Sequence, residues 1–373
     1  MADPAILIIA ASEHDSNLYW VSGFLAPDPF VFLQVGERKL LLMSDLELDR
    51  AKAESRVDEV LAYSAYEAKA RQRVAQPTLI DTLAEVLEEY GVTDVLVPAS
   101  FGVEHADRLR ERGIRLAWKR DPFFEERVVK RPDEVAAIEA TQRATERAVG
   151  RALDALRQSD IRGDRLYWRD KVLTAETLRW VMHFSMMEDE CLGQHTIVAP
   201  GVQGVDPHNE GSGPILPHQS LVLDVFPRST RTRYWADMTR TVVRGRASDP
   251  LKRMYDAVLA AQLRGIELCA DGVDGQEVHR EVTAVLERAG FETGMVDGRM
   301  QGFFHGTGHG VGLDIHEAPR VSKVANTLRT GHVVTVEPGL YYPRWGAVRI
   351  EDMVLIQPGG CRNLTDFPKV LEI

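Results

Sequence analysis

The 373-residue sequence has few cysteines, no excess of basic residues and no long apolar run. Its three cysteines, Cys191, Cys269 and Cys361, are far apart and lack any C-x-x-C spacing, which argues against a disulfide framework and a thiolate zinc site. The net charge of −11 offers no clustered basic surface of the kind that nucleic acids and anionic membranes require. We therefore expect a cytoplasmic protein without a polyanionic partner.

Membrane-spanning and exported classes are also disfavoured. No stretch approaches the roughly 18 apolar residues of a transmembrane helix. The first apolar run, AILIIA, follows acidic Asp3, where a signal peptide would carry positive charge. We interpret this run as a buried strand. Together with the acidic net charge, this leads us to expect no nucleic acid and no membrane as a partner.

The pattern of apolar residues indicates two domains of mixed helix and sheet. Up to about Lys119, strand-like runs alternate with amphipathic helices such as LIDTLAEVLEEYG, which is typical of an α/β domain. The segment DPFFEERVVKRPDE (121–134) is charged, contains two prolines and leads into a long helix. We therefore place the first domain at 1–127 and the second at 128–373. Helices are predicted in the second domain at 133–160, 174–190, 248–272 and 275–291.

Four carboxylates of the second domain stand in strand-like apolar sequence, where acidic residues are rare. They are Asp224 in SLVLDVF, Asp237 in RYWADMTRTVV, Glu337 in HVVTVEPG and Glu351 in AVRIEDMVLI. Burying an isolated carboxylate costs several kcal/mol, so a positive partner is required. Arginines or divalent cations could supply it, and four such acids beside a histidine-rich segment favour cations.

The spacing of these acids divides them into two matched pairs. Asp224 and Asp237, like Glu337 and Glu351, are far enough apart to lie on the two arms of one β-hairpin. Two similar hairpins facing each other would bring four carboxylates around one point. Two dications would balance their four negative charges, and one neutral histidine could complete the site.

The stretch FFHGTGHGVGLDIHEAP (303–319) holds His305, His309 and His316 among recurring glycines. His305 and His309 have the spacing of helical zinc ligands, but each intervening glycine would cost about 1 kcal/mol in a helix. An extended segment is expected instead, in which glycine allows another backbone or a ligand to approach closely. Val311 stands where the dinucleotide fingerprint needs its last glycine, which excludes that motif.

These motifs resemble the pita-bread metallopeptidases, a family that includes methionine aminopeptidase, aminopeptidase P, prolidase and creatinase. The resemblance covers nearly the whole chain, because SNLYWVSGF (16–24) is similar to the creatinase-type N-terminal domain. It implies an α/β (α+β) fold, with that domain followed by a pita-bread catalytic domain built on pseudo-twofold β-hairpins. His305 favours the proline-directed members or creatinase, which carry a histidine four residues before the ligand, whereas methionine aminopeptidases generally lack it.

The resemblance also implies a role for each motif residue. The ligands of two divalent metal ions would be Asp224, Asp237, His309, Glu337 and Glu351. The catalytic residues would be His208, His316, Glu337 and Arg349, and the substrate-binding residues His208, His305 and His316. Manganese suits four oxygen ligands and one nitrogen, and zinc, cobalt and iron are compatible. Seven other histidines, among them His195, lie outside the motifs and receive no role.

The segment between the first two aspartates departs from the family pattern. DVFPRSTRTRYWAD is two residues longer than is usual and has Pro227 in its turn. An even insertion preserves side-chain parity, so Asp224 and Asp237 are still expected to face inward. The arginine-rich tip is expected to alter the entrance and hence the substrate preference.

The expected function is metal-dependent hydrolysis of Xaa-Pro bonds at the N-terminus of short peptides. The enzyme would act as a dipeptidase or an aminopeptidase, through a hydroxide that bridges two metal ions, and as a homodimer. One alternative is a creatinase-like amidinohydrolase, which needs no metal and hence no complete ligand set. Another is a non-catalytic binding protein of the same fold, against which the retained histidines and Arg349 argue.

Overall fold

A computed structural model describes residues 4–373, and the chain in it divides into two units between Arg127 and Val128. Both units mix helix and sheet, which confirms the predicted fold class. Among the helices formed by residues 4–373, none is long and apolar enough to cross a bilayer.

The first unit is built on one six-stranded mixed sheet with helices against both faces. Its strands are β1 (Ala5–Ala10), β2 (Phe30–Val35), β3 (Arg38–Met43), β4 (Glu59–Ala62), β5 (Asp94–Pro98) and β6 (Arg115–Lys119). Its helices are α1 (Ser16–Ser22), α2 (Leu48–Glu54), α3 (Tyr63–Ala70), α4 (Leu79–Glu89) and α5 (Val103–Glu111). The strand order is β4-β3-β2-β1-β5-β6. Successive residues face opposite sides, so Leu7 packs with α3, α4 and α5 while Ile8 packs with α1 and α2.

The second unit contains the four predicted helices and seventeen strands within the described residues. The helices are α6 (Pro132–Arg157), α7 (Ala175–Glu188), α8 (Asp249–Leu268) and α9 (Gly275–Arg288). The strands are β7 (Asp160–Arg162), β8 (Arg165–Trp168), β9 (Lys171–Val172), β10 (Cys191–Gly193), β11 (Ile197–Pro200), β12 (Leu221–Val225), β13 (Pro227–Ser229), β14 (Met238–Val242), β15 (Gly294–Val296), β16 (Arg299–Gln301), β17 (Gly308–Gly310), β18 (Glu317–Val321), β19 (Val333–Val336), β20 (Gly339–Tyr342), β21 (Gly346–Arg349), β22 (Asp352–Gln357) and β23 (Gly360–Asn363). Pro132 belongs to the first turn of α6 rather than preceding the helix, because that turn needs no proline N–H donor.

Two matched halves make up this unit, each a helix pair packed on an antiparallel sheet. Helices α6 and α7 cover the sheet β11-β12-β14, and α8 and α9 cover the sheet β18-β17-β19-β22-β23. The pairs β12/β14 and β19/β22 occupy corresponding places, with Leu223 opposite Arg240 and Val334 opposite Val354. The prediction of two similar antiparallel pairs is confirmed.

The glycine-rich stretch forms β17, which lies between β18 and β19. A Cβ atom on Gly308 would lie 1.9 Å from the carbonyl oxygen of Thr335, and one on Gly310 would lie 2.2 Å from that of Ala318. Both distances are far below van der Waals contact, so only glycine lets the three backbones approach this closely. The predicted extended conformation and its physical reason are both confirmed.

We predict that Gly308→Ala destabilises the second unit, because backbone atoms must move to admit the methyl group. Overpacking of this kind costs about 1–3 kcal/mol, and thermal unfolding followed by circular dichroism should give a midpoint several degrees lower. Gly360→Ala in β23 is the matched control, since a Cβ there meets open space. Equal losses for the two variants would contradict the close-approach explanation.

Candidate metal centre

A cavity of about 980 Å³ lies in the second unit, where the two matched strand pairs come together. Every residue selected by the motifs lines it: His208, Asp224, Asp237, His305, His309, His316, Glu337, Arg349 and Glu351. These side chains are spread over the sequence from 208 to 351, and the two halves of the fold bring them to one place.

The strand register explains why the four acids meet. Asp224 lies in β12 and Asp237 immediately precedes β14, while Glu337 follows β19 and Glu351 precedes β22. The last register pairs are Val225 with Met238 and Val336 with Asp352, so each pair of acids sits at the same end of its strands. The longer tip between the aspartates contains β13, which pairs with β10, and leaves both carboxylates facing the cavity.

Several carboxylate oxygens of this cluster lack a partner. Ligand atoms of Asp237, His309 and Glu351 all lie within 4.8 Å of one another, and the three residues are buried. Among the described residues, no hydrogen-bond partner reaches Asp224 Oδ1, Asp237 Oδ1 or Glu351 Oε1. Buried carboxylate oxygens without partners are unfavourable. Their convergence fits a site for divalent cations.

Burial and mutual repulsion raise the pKa values of the cluster. Burial, with a further contribution from Glu351, raises the pKa of Asp237 well above its usual range. Burial and the charge of Glu337 raise the pKa of Glu351 in the same way. Burial raises the pKa of Glu337 from 4.5 to about 8, although Arg349 opposes this shift. Added positive charge would favour the ionised forms of these three acids.

His309 presents a ring nitrogen to the same point. Its Nδ1 lies 3.2 Å from the Gly310 carbonyl oxygen and donates to it. Its Nε2 faces Glu337 Oε1 at 3.3 Å and Asp237 Oδ2 at 3.7 Å. Burial lowers the pKa of His309 to about 3, so the ring is neutral and the Nε2 lone pair points at two carboxylates. A neutral imidazole nitrogen that faces two carboxyl groups at these distances suits a nitrogen ligand of a metal ion.

Arg349, Tyr341 and His305 form a buried chain beside the acids. Arg349 donates from Nη2 to Asp224 Oδ2 at 2.5 Å and from Nη1 to the Tyr341 hydroxyl at 2.9 Å. His305 Nδ1 faces the Gly306 carbonyl at 2.8 Å and must donate to it, so Nε2 of the neutral ring accepts from the Tyr341 hydroxyl at 2.8 Å. Burial lowers the pKa of His305 to about 3. Both ring nitrogens of His305 are thus engaged within the protein.

His316 and His208 occupy other parts of the wall. The His316 ring meets the His309 ring edge-on at a centroid distance of 4.3 Å, and burial lowers the pKa of His316. The carbonyl of Pro207, next to His208, accepts from Arg349 Nη2 at 3.3 Å. His316 is therefore a neutral imidazole at neutral pH, in the wall of the cavity that the acids line.

Sequence motifs missed four side chains that complete the site. Thr239 Oγ1 donates to Glu351 Oε2 at 2.7 Å, and Thr335 Oγ1 donates to Glu337 Oε1 at 3.3 Å. Tyr341 joins Arg349 to His305 through hydrogen bonds. In the sequence, it is marked only as one of two adjacent tyrosines that follow the Glu337 motif. His195 received no role, yet it lines the cavity with Nδ1 2.7 Å from Glu210 Oε1. Its position follows from the register that sets Ile197 opposite Asp224.

Comparison with known proteins places this geometry in a family. Residues 136–358 match the model of metallopeptidase family M24, and residues 5–113 match the creatinase/prolidase N-terminal domain. The chain belongs to metallopeptidase family M24. Together the two matches confirm a creatinase-type domain followed by a pita-bread catalytic domain and make the protein a metallo-exopeptidase. The family implies divalent metal ions, and the donor set described above fits them.

Relatives of this M24 chain match it over nearly its whole length. A Xaa-Pro dipeptidase from Pyrococcus horikoshii is 27% identical over 358 residues, covering 95% of this chain and 92% of the relative. A Xaa-Pro dipeptidase structure from Bacillus anthracis has a TM-score of 0.83 at 23% identity, covering 99% of this chain and 95% of that one. An X-Pro aminopeptidase structure from Thermotoga maritima has a TM-score of 0.81 at 24% identity, covering 99% and 97%. The structural likenesses show the shared fold.

We predict that metal stabilises this M24 chain more strongly as the pH rises. In the metal-free protein the raised pKa of Glu337 favours its neutral form, so its contribution to stability is present below pH 4.5 and is lost through about pH 8. Added Mn²⁺ stabilises the ionised carboxylates and offsets that loss. Thermal midpoints with Mn²⁺ and with chelator should therefore diverge between about pH 4.5 and about pH 8. A difference that stays constant, or that Asp237→Asn preserves, would contradict this.

Proposed function

We propose that the chain hydrolyses Xaa-Pro bonds at the N-terminus of short peptides with two divalent metal ions. Asp224, Asp237, His309, Glu337 and Glu351 would hold the ions. The observation that carries this proposal is the meeting of buried, partly unpartnered carboxylates with a neutral imidazole nitrogen in one cavity. The names of the relatives, which include Xaa-Pro dipeptidase and X-Pro aminopeptidase, support the substrate class.

The proposed metal is manganese, because four oxygen ligands and one nitrogen suit it, and zinc, cobalt and iron remain compatible. When bound, the ions would supply a water molecule of lowered pKa and a Lewis acid for the scissile carbonyl. The other steps depend on side chains of the protein. Arg349 donates to Asp224 Oδ2 and so fixes this carboxylate, while Asp224 Oδ1 has no hydrogen-bond partner and stays available to a metal ion.

Glu337 is the proposed proton carrier of the reaction. Its Oε1 accepts from Thr335 Oγ1, which fixes the carboxyl group while leaving it able to exchange a proton. A group of this kind takes the proton of the attacking water and delivers it to the leaving nitrogen.

Two imidazoles would stabilise the charge that develops on the substrate. His316 would donate to the carbonyl oxygen of the scissile bond, which becomes negative in the transition state. His208 would donate to the carbonyl of the proline residue and so fix the peptide in register. Both line the cavity, and Arg349 holds the Pro207 carbonyl next to His208.

Proline at the second position suits the apolar part of the cavity. A proline amide has no N–H, so a site that requires no such donor can accept it. His305 has both nitrogens engaged, and it offers a substrate only its ring surface. Phe304 lies beside it, with ring centroids 6.3 Å apart. These two rings would contact the pyrrolidine ring of the substrate.

Several broader features belong to the same proposal. The domain boundary is set at 1–127 and 128–373, between the two family matches. Cytoplasmic location is supported by the three cysteines, all of which are free. A homodimer is inferred from the family resemblance, and short peptides with proline second are the proposed partners.

The substrate class is tested by assays on purified protein. After chelation and addition of Mn²⁺, we expect release of alanine from Ala-Pro or Ala-Pro-Ala, and chelator should abolish it. Comparing the two peptides separates a dipeptidase from an aminopeptidase. Turnover of creatine instead, or no turnover with Mn²⁺, Co²⁺ or Zn²⁺, would overturn the proposal.

The role of Glu337 predicts a loss of rate. Glu337→Gln removes the proton carrier, which is also one of the proposed metal ligands, and should lower kcat on Ala-Pro by about 10²-fold or more with Mn²⁺ held at saturation. Glu292→Gln is the control, because Glu292 is exposed and does not line the cavity. Thermal unfolding of both variants should confirm that the fold is retained. A Glu337→Gln enzyme with the kcat of the control would contradict the assignment.

A further inference from the structure

Arg240 in β14 is a buried guanidinium that lies behind the cavity rather than in its lining. Its side chain is 2% exposed. Nε donates to the Pro368 carbonyl at 3.0 Å, and Nη1 donates to the carbonyls of Thr239 at 2.9 Å and Glu351 at 2.6 Å. Nη2 donates to Asp352 Oδ1 at 2.9 Å and to the Phe367 carbonyl at 2.8 Å. Arginine has five N–H groups, and all five are used.

These bonds join the two strand pairs that carry the acids. Glu351 is held through its carbonyl by Arg240, through its backbone N–H by the Thr239 carbonyl at 3.1 Å, and through Oε2 by Thr239 Oγ1 at 2.7 Å. Thr239 lies in β14, two residues after Asp237, which immediately precedes that strand. Residues 239 and 240 therefore fix Glu351 relative to Asp237, and Glu351 Oε1 is left without a partner toward the cavity.

The ion pair of Arg240 does not by itself explain its presence. Asp352 is also paired with Lys369 at 2.6 Å and accepts from Asn363 Nδ2 at 2.8 Å. Losing Arg240 would therefore not leave the Asp352 carboxylate unpaired. Buried ion pairs seldom add net stability, because desolvation offsets the attraction. What Arg240 alone supplies is the set of bonds to three backbone segments.

We propose that Arg240 is a positioning residue that fixes the spacing of Asp237 and Glu351 and thereby sets the affinity of the metal centre. This inference rests on the proposed metal-ligand roles of those two acids. Two like charges separate when nothing restrains them, and bonds to the backbone of both strands restrain them before a cation arrives. The site is then preorganised, so metal binding does not have to draw the strands together.

Arg244, two residues after the end of β14, offers a matched control. It donates from Nη2 to the Ser159 carbonyl at 2.8 Å and from Nη1 to the Ile373 carbonyl at 3.4 Å. It thus ties down the C-terminal segment, as Arg240 does, but has no bond to Thr239 or Glu351. If the bonds to the C-terminal segment were all that mattered, substitution of either arginine would change the affinity for Mn²⁺ equally.

The test is the affinity for Mn²⁺, measured by isothermal titration calorimetry on chelator-treated protein. Arg240→Met should bind Mn²⁺ about 10–100-fold more weakly, the usual effect of losing a partner that orients a metal ligand. The affinity of Arg240→Lys for Mn²⁺ should lie between those of the wild type and Arg240→Met, because lysine keeps the charge but has only three N–H groups. Arg244→Met should keep wild-type affinity even if its unfolding midpoint falls.

The outcomes separate failure of this role from failure of the metal centre. Wild-type affinity in Arg240→Met, or equal weakening in Arg244→Met, would overturn the positioning role while the metal centre stands. If Arg240→Met does not fold, Arg240→Lys decides the matter by the same comparison with Arg244→Lys. A wild-type protein that binds no Mn²⁺ would instead overturn the metal centre and this role with it.

Discussion

Mutual repulsion among buried carboxylates is the constraint on which this structure depends. Asp224, Asp237, Glu337 and Glu351 line one cavity, and burial raises the pKa of three of them. One guanidinium, Arg349, compensates part of that charge by binding Asp224. Divalent cations would balance the remaining negative charge. In each half of the second unit, two paired strands carry their acids at the same end, and these ends meet at the cavity. The fold itself therefore brings the four carboxylates together.

The surrounding framework acts by restraining groups rather than by adding charge. Threonine hydroxyls orient two of the glutamates, and the Arg349–Tyr341–His305 chain fixes one aspartate and engages both nitrogens of His305. Glycines in β17 let three backbones approach closely enough to place His309 against Asp237 and Glu337. The centre is therefore organised by its neighbours before any ion is present, which is how proteins fix metal ligands.

Much of this arrangement could be predicted from the sequence, and the reasons are specific. A carboxylate in an apolar strand is unfavourable wherever the strand is buried, so Asp224 and Glu351 were visible without a structure. Paired spacing then predicted two strand pairs, and the glycine run predicted an extended segment. The long helices were visible through their apolar periodicity.

Other parts of the site depend on register and could not be predicted. Thr239 and Arg240 are ordinary residues of a β-strand in sequence, and only the pairing of β14 beside Glu351 gives them partners. His195 lies two residues before Ile197, whose place opposite Asp224 brings it to the cavity. Tyr341 is likewise defined by three-dimensional neighbours. Short elements of the first unit, such as α2 and β4, also escaped prediction, because few residues carry their periodicity.

Anomalous diffraction at the manganese edge, from crystals grown with Mn²⁺, tests the central claim most directly. We expect two anomalous peaks among Asp224, Asp237, His309, Glu337 and Glu351. Crystals that show these carboxylates bound to guanidinium groups or to water, with no anomalous peak between them, would contradict the account.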